Sequence, residues 1–95
     1  MAEQTFHLRG EYDLVNAFDL EAELLRFAHT NGGGPLIVDG EHLEFIDSTG
    51  IGALLRVREA LVQEGRRLRV VHLPPTARRA VEVLHLEDLL GDDDS

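Results

Sequence analysis

The sequence contains no cysteine. That excludes a disulfide-stapled scaffold and a thiolate metal site, and it fits a reducing compartment. Long apolar runs are missing too: nothing approaches the roughly 18 consecutive apolar residues of a membrane span. The first residues, Met1-Ala2-Glu3-Gln4, carry neither the basic region nor the apolar stretch of a secretory signal. Positive charge is scarce. Nine Lys and Arg face 18 Asp and Glu, giving a formal net charge of −9. Such a surface repels phosphate backbones and anionic lipid heads, so neither nucleic acid nor a membrane is an expected partner. On these absences a cytoplasmic location is the expectation.

What remains is ordinary globular material, with 43% hydrophobic and 28% charged residues. Ninety-five residues suffice for one domain over 1–95 with one thin core. The pattern alternates strand and helix. Phe6-His7-Leu8 reads as a short strand that Gly10 ends. From Ala17 to His29 the apolar residues Ala17, Leu20, Leu24, Phe27 and Ala28 form one helical stripe, with Asn16 as its N-cap. After the loop Asn31-Gly32-Gly33-Gly34-Pro35, the run Leu36-Ile37-Val38 reads as a buried strand. A second helix covers about Thr49 to Glu64, a strand Leu68 to Leu73, and a third helix begins at Thr76 after Pro74-Pro75. The acidic tail, about 91–95, is expected to fray. Strands separated by helices require crossovers, so the fold class is α/β: a largely parallel or mixed sheet. Leu36, Val38, Leu54, Leu55, Leu61, Leu68, Val70 and Val81 are the expected core. Arg66, Arg67, Arg69, Arg78 and Arg79 are expected on solvated faces.

The chemistry-bearing stretch is Phe45-Ile46-Asp47-Ser48-Thr49-Gly50-Ile51-Gly52. Asp47, Ser48 and Thr49 all suit a helix N-cap. Gly50 and Gly52 fall where Ala would be about 1 kcal/mol better for a helix, so something approaches this helix start closely, either a strand or a partner.

This stretch, with Ile37-Val38-Asp39 before it and Ala53-Leu54-Leu55 after it, resembles the core signature of STAS domains, the anti-sigma factor antagonists. Leu8-Arg9-Gly10-Glu11-Tyr12-Asp13 is similar to that family's L-x-G-E-L-D entry. Gly65 to Val71 resembles its helix stop and following strand, and Thr76 to Leu90 its last common helix. The resemblance implies a STAS-like mixed β-sheet with helices packed on one face. It also implies that Ser48 is the serine phosphorylated by a partner, an anti-sigma factor kinase of the histidine-kinase-like ATPase fold. Asp13, Asp47, Ser48, Thr49, Gly50 and Gly52 then form the partner-binding surface, and a serine phosphatase resets the switch. The unmodified form binds; the phosphorylated form releases. A phosphate adds about −1.5 to −2 charges beside Asp47, which gives this release a physical basis.

Departures from the family pattern stand at His85, where a glycine with positive φ is usual, and at Gly40, where a bulkier apolar residue is usual. Few residues precede Gly10, and the chain stops soon after Leu90. Five histidines, His7, His29, His42, His72 and His85, lack metal-ligand spacing, so no metal or other cofactor is expected. Ser48 has no G-x-S-x-G elbow around it, which argues against a catalytic nucleophile and against an enzyme. The alternative is a STAS interaction subunit of a transport or sensory complex that is never phosphorylated.

Overall fold

The computed structural model describes residues 3–30 and 32–90. The elements are β1 (Gln4–Tyr12), α1 (Ala17–Thr30), β2 (Leu36–Ile46), α2 (Ser48–Gln63), β3 (Leu68–Val71) and α3 (Pro75–Val83), followed by a 3-10 turn at Glu87–Leu89. Each strand enters the sheet beside its predecessor, in the order β1-β2-β3, and both pairings are parallel. Leu90 then bridges to Val70, again in parallel. A parallel neighbour is reached only by a crossover, and crossovers are right-handed. Successive steps in one direction with one hand carry every helix to the same face. All pairings among the described residues are parallel, the parallel limit of the mixed sheet expected from the sequence.

The covered face and the helix stripes make one core. Leu8, Leu36, Val38, Leu68 and Val70 project from the sheet to meet Leu24, Leu54, Leu61 and Val81. Of the expected core, Leu55 is only half-buried and packs at its margin. Phe27, expected on the α1 stripe, is also half-buried and meets Phe6 edge-on at 5.4 Å between ring centroids.

Among the described residues the other sheet face carries no helix, a departure from the usual two-sided cover of parallel sheets. Thr5, His7, Arg9 and Glu11 of β1 are accordingly exposed. Two of the scattered histidines meet there. Asp39 lies 3.9 Å from the Nδ1 of His7 and 3.3 Å from that of His72. Burial works to raise the pKa of Asp39, but the Glu41 N–H and the hydrogen bond and charge of His72 outweigh it. The carboxyl stays below its ordinary value.

Gly10 does not end β1, which is longer than the sequence suggests. It adopts φ +75 among two register breaks, at His7/Arg9 and Gly10/Glu11. The Tyr12 hydroxyl accepts the Arg9 N–H at 3.1 Å. Bulges and a side chain folded onto the strand both blunt an edge against stray pairing. β2 likewise runs to Ile46 rather than stopping at Val38.

Arg66 is buried, unlike the solvated arginine expected. Its Nε and Nη2 donate to Gly34 O at 3.1 and 3.0 Å, and its Nη1 to Ala28 O at 3.1 Å. The guanidinium thus ties the end of α1 to the loop before β2. His85 holds φ +59, the left-handed backbone expected at that position. At Gly40 a Cβ would stand 2.8 Å from the Leu73 Cδ2, so Leu73 fills the space of a bulkier residue. The acidic tail, from Gly91, lies outside the described residues.

Candidate partner-binding site

The chain passes from β2 into α2 through a single residue. Asp47 keeps extended backbone (φ −102, ψ −173), and helix begins at Ser48. Asp47 is therefore the N-cap, and the three residues that suited a cap divide their roles. Its Oδ1 accepts the N–H of Thr49 at 2.9 Å and of Gly50 at 3.1 Å. The Thr49 hydroxyl donates to the same oxygen at 2.5 Å. That hydroxyl first, and the Gly50 N–H after it, hold the Asp47 carboxyl below its ordinary pKa.

Ser48 is different. Its side chain is exposed and makes no hydrogen bond among the described residues. No side chain among the described residues is therefore placed to draw off its proton.

The two glycines also divide. Gly50, expected at the partner surface, is buried. A Cβ there would stand 2.6 Å from the Ile46 Cγ1 and 3.1 Å from the Tyr12 carbonyl oxygen. The close approach inferred from sequence is thus made by the strands, which seat the first turn of α2. Gly52 is half-exposed, and a Cβ would meet only the flexible Arg56 Nη1 at 3.4 Å.

The β1–α1 turn comes alongside through the Asp47 N–H, which donates to Tyr12 O at 3.1 Å. Asp13 serves this turn: its Oδ1 accepts the Val15 N–H at 2.9 Å. Asn16, expected to cap α1 forward, turns back instead. Its Oδ1 accepts the Asp13 N–H at 2.8 Å, and its Nδ2 donates to Glu11 O at 2.8 Å. A cleft of about 290 Å³ results, with Leu14, Ala17 and Phe18 on one wall and Ser48, Gly52 and Arg56 on the other. Arg56 pairs with Glu21 at 2.7 Å and lies 5.8 Å from the centre of the Phe18 ring.

The structure thus brings Asp47, Ser48, Thr49 and Gly52 to one surface with the Asp13 turn beside them. Leu14, Phe18 and Arg56 were missed in the sequence. One signal was available for Phe18: it follows Ala17 by one position and so falls off the buried stripe Ala17, Leu20, Leu24, Ala28.

A family described as "Mlab, STAS domain" matches residues 1–91. The chain belongs to the STAS domain family. It is 30% identical over 81 residues to the anti-sigma-B factor antagonist of Staphylococcus aureus (strain NCTC 8325 / PS 47), covering 85% of this chain and 74% of that one. The unphosphorylated form of the anti-sigma factor antagonist SpoIIAA superposes with a TM-score of 0.78 at 22% identity, over 94% of this chain and 77% of that one. A sulfate transporter family protein from Wolinella succinogenes superposes at 0.74 and 18% identity, over 97% and 74% of the two chains. Likeness at those identities speaks for the fold alone. Among the described residues no helix is long and apolar enough to cross a membrane.

Proposed function

We propose that this chain is an anti-sigma factor antagonist switched by phosphorylation at Ser48, a binding module and not an enzyme. Unmodified, it binds an anti-sigma factor that is also a serine kinase of the histidine-kinase-like ATPase fold. The observation that carries this reading is the contrast between two adjacent hydroxyls: Thr49 is tied to Asp47, while Ser48 is free and exposed. In the transfer, the Ser48 Oγ forms a bond to the γ-phosphorus of ATP as the bond to ADP breaks. The hydroxyl proton passes to a base of the kinase, and a serine phosphatase later restores the alcohol.

Release follows from charge and solvation. The Thr49 and Gly50 amides, which could cradle a phosphate at a helix start, already serve Asp47. A phosphate on Ser48 therefore stays beside an ionised carboxylate, facing a cleft walled by Leu14, Ala17 and Phe18. A dianion next to an acid and against an apolar contact disrupts binding by repulsion and desolvation.

The test incubates the chain with its kinase and ATP and maps the product by mass spectrometry. Phosphate is expected on Ser48, and Ser48→Ala should bind the kinase but accept none. Phosphate on Thr49 with Ser48 unmodified would refute the assignment. The likeness to a transporter-family protein favours a second reading, a STAS subunit held permanently in a transport complex. A kinase that binds tightly yet transfers nothing would support that reading instead.

A further inference from the structure

Leu14 and Phe18, which share a cleft with Ser48, and Val15 in the same turn are large apolar side chains left mostly outside the core. Leu14, Val15 and Phe18 are 69%, 88% and 72% exposed. Isolated exposed apolar residues need no explanation, but three within five positions of one turn, two of them lining a single cleft, do. The turn that carries them is fixed, not loose. Asp13 holds the Val15 N–H, Asn16 holds the Asp13 N–H and Glu11 O, and Arg56 sits over the Phe18 ring. Leu14 and Phe18 also form the wall of the Ser48 cleft, so the group is continuous with the switch.

Its surroundings are acidic. Asp13 flanks Leu14, Asp19 flanks Phe18, Asp47 flanks Ser48, and Glu11 stands at the end of the strand leading in. Arg56, the cation of the cleft wall, is already paired with Glu21. We infer that Leu14, Val15 and Phe18 form a preorganised apolar anchor, and that the partner covers it with an apolar patch ringed by Lys and Arg. The inference rests on the reading above that the partner is the kinase of Ser48. A second copy of this chain fits poorly, since it brings an identical acidic rim on a body of net charge −9. Anionic lipid fits poorly for the same reason. Ser48 faces the apolar wall across the cleft, so docking encloses its hydroxyl, and a phosphate there must lose its water.

The test uses the full chain carrying Ser48→Ala, so that no phosphate accumulates. The double variant Val15→Gln/Phe18→Gln should weaken kinase binding about 10- to 100-fold, the range of lost interface anchors. Val15→Lys/Phe18→Lys should weaken it further, because lysine meets a basic ring. Val62→Gln and Val83→Gln, at exposed apolar sites elsewhere, should bind as the parent does. Thermal unfolding within a few degrees of the parent shows each variant folded. A photo-crosslinker at positions 15 and 18 in cells, compared with 62 and 83, identifies the partner independently. A product with a protein other than a kinase, through a basic-rimmed apolar peptide, supports the anchor and removes the kinase reading. Normal kinase affinity in the Gln pair, or crosslinks only to a second copy or to lipid, overturns the anchor while leaving phosphorylation of Ser48 untouched.

Discussion

The Thr49 hydroxyl donates to the Asp47 Oδ1 at 2.5 Å, and that bond separates two hydroxyls that the sequence presents as equals. Thr49 is drawn into the cap of α2; Ser48 is left outside it. A phosphate on Thr49 would have to break the cap, whereas one on Ser48 would not. Thr49→Val should therefore leave Ser48 phosphorylation intact in mass spectrometric mapping while lowering the melting temperature by a few degrees. Loss of Ser48 phosphorylation in folded Thr49→Val would argue that Thr49 is itself recognised by the kinase.

The same cap gives a pH dependence. The folded pKa of Asp47 lies below its ordinary value of 3.8. A depressed carboxylate contributes stability that is fully present above that ordinary value and is lost as pH falls through the folded one. Denaturant midpoints of the wild type should drop more steeply below about pH 4 than those of Asp47→Asn. Parallel curves for the two proteins would show that the cap does not titrate in that window.

Gly50 should resist substitution for a reason unconnected with any partner. A Cβ at 2.6 Å from Ile46 Cγ1 and 3.1 Å from the Tyr12 carbonyl oxygen forces the helix start off its strands. Gly50→Ala should cost about 1–3 kcal/mol, as overpacking does, despite the better helix propensity of alanine. Equal or greater stability by chemical denaturation would mean that the contact relaxes freely.

Arg66 should matter to the fold more than an arginine usually does. Arg66→Ala removes three donors from the carbonyls of Gly34 and Ala28. Each buried group left unpaired costs roughly 1–3 kcal/mol. A drop in the urea midpoint is expected, and Arg66→Lys should recover only part of it because lysine lacks the planar fork. A neutral Arg66→Ala would show that water replaces the guanidinium at both carbonyls.

The helix starts, and the ends of α1 and α2, were legible in the sequence to within one or two residues because the signals that bound them are local: the cap at Asp47, the prolines at 74 and 75, the stop at Gly65. The last helix, likened to one running from Thr76 to Leu90, instead ends at Val83, because the left-handed backbone of His85 breaks it before the 3-10 turn at Glu87–Leu89. The strand ends were not legible in this way. β1 alternates, but its outward residues His7, Arg9 and Glu11 are polar, on a sheet face that no helix covers among the described residues. Gly10 then reads as an end when it is a bulge. In the site, Ser48 and Asp47 could be found because their chemistry is carried by residue type. Leu14 could not, since residue type alone does not tell an apolar turn residue from core, whereas Phe18 could have been, from its place one position off the stripe Ala17, Leu20, Leu24, Ala28. The inward turn of Gly50 and the burial of Arg66 depend on strands and loops distant in sequence.

The central claim is that charge at Ser48 governs partner binding without unfolding the domain. The most direct measurement compares the kinase affinity of the unmodified chain with that of a chain carrying phosphoserine at position 48, alongside their melting temperatures. The account predicts a Kd at least about tenfold weaker for the phosphorylated chain, or roughly 1.4 kcal/mol, with melting temperatures within a few degrees. Equal affinities, or a loss of binding accompanied by unfolding, would contradict it.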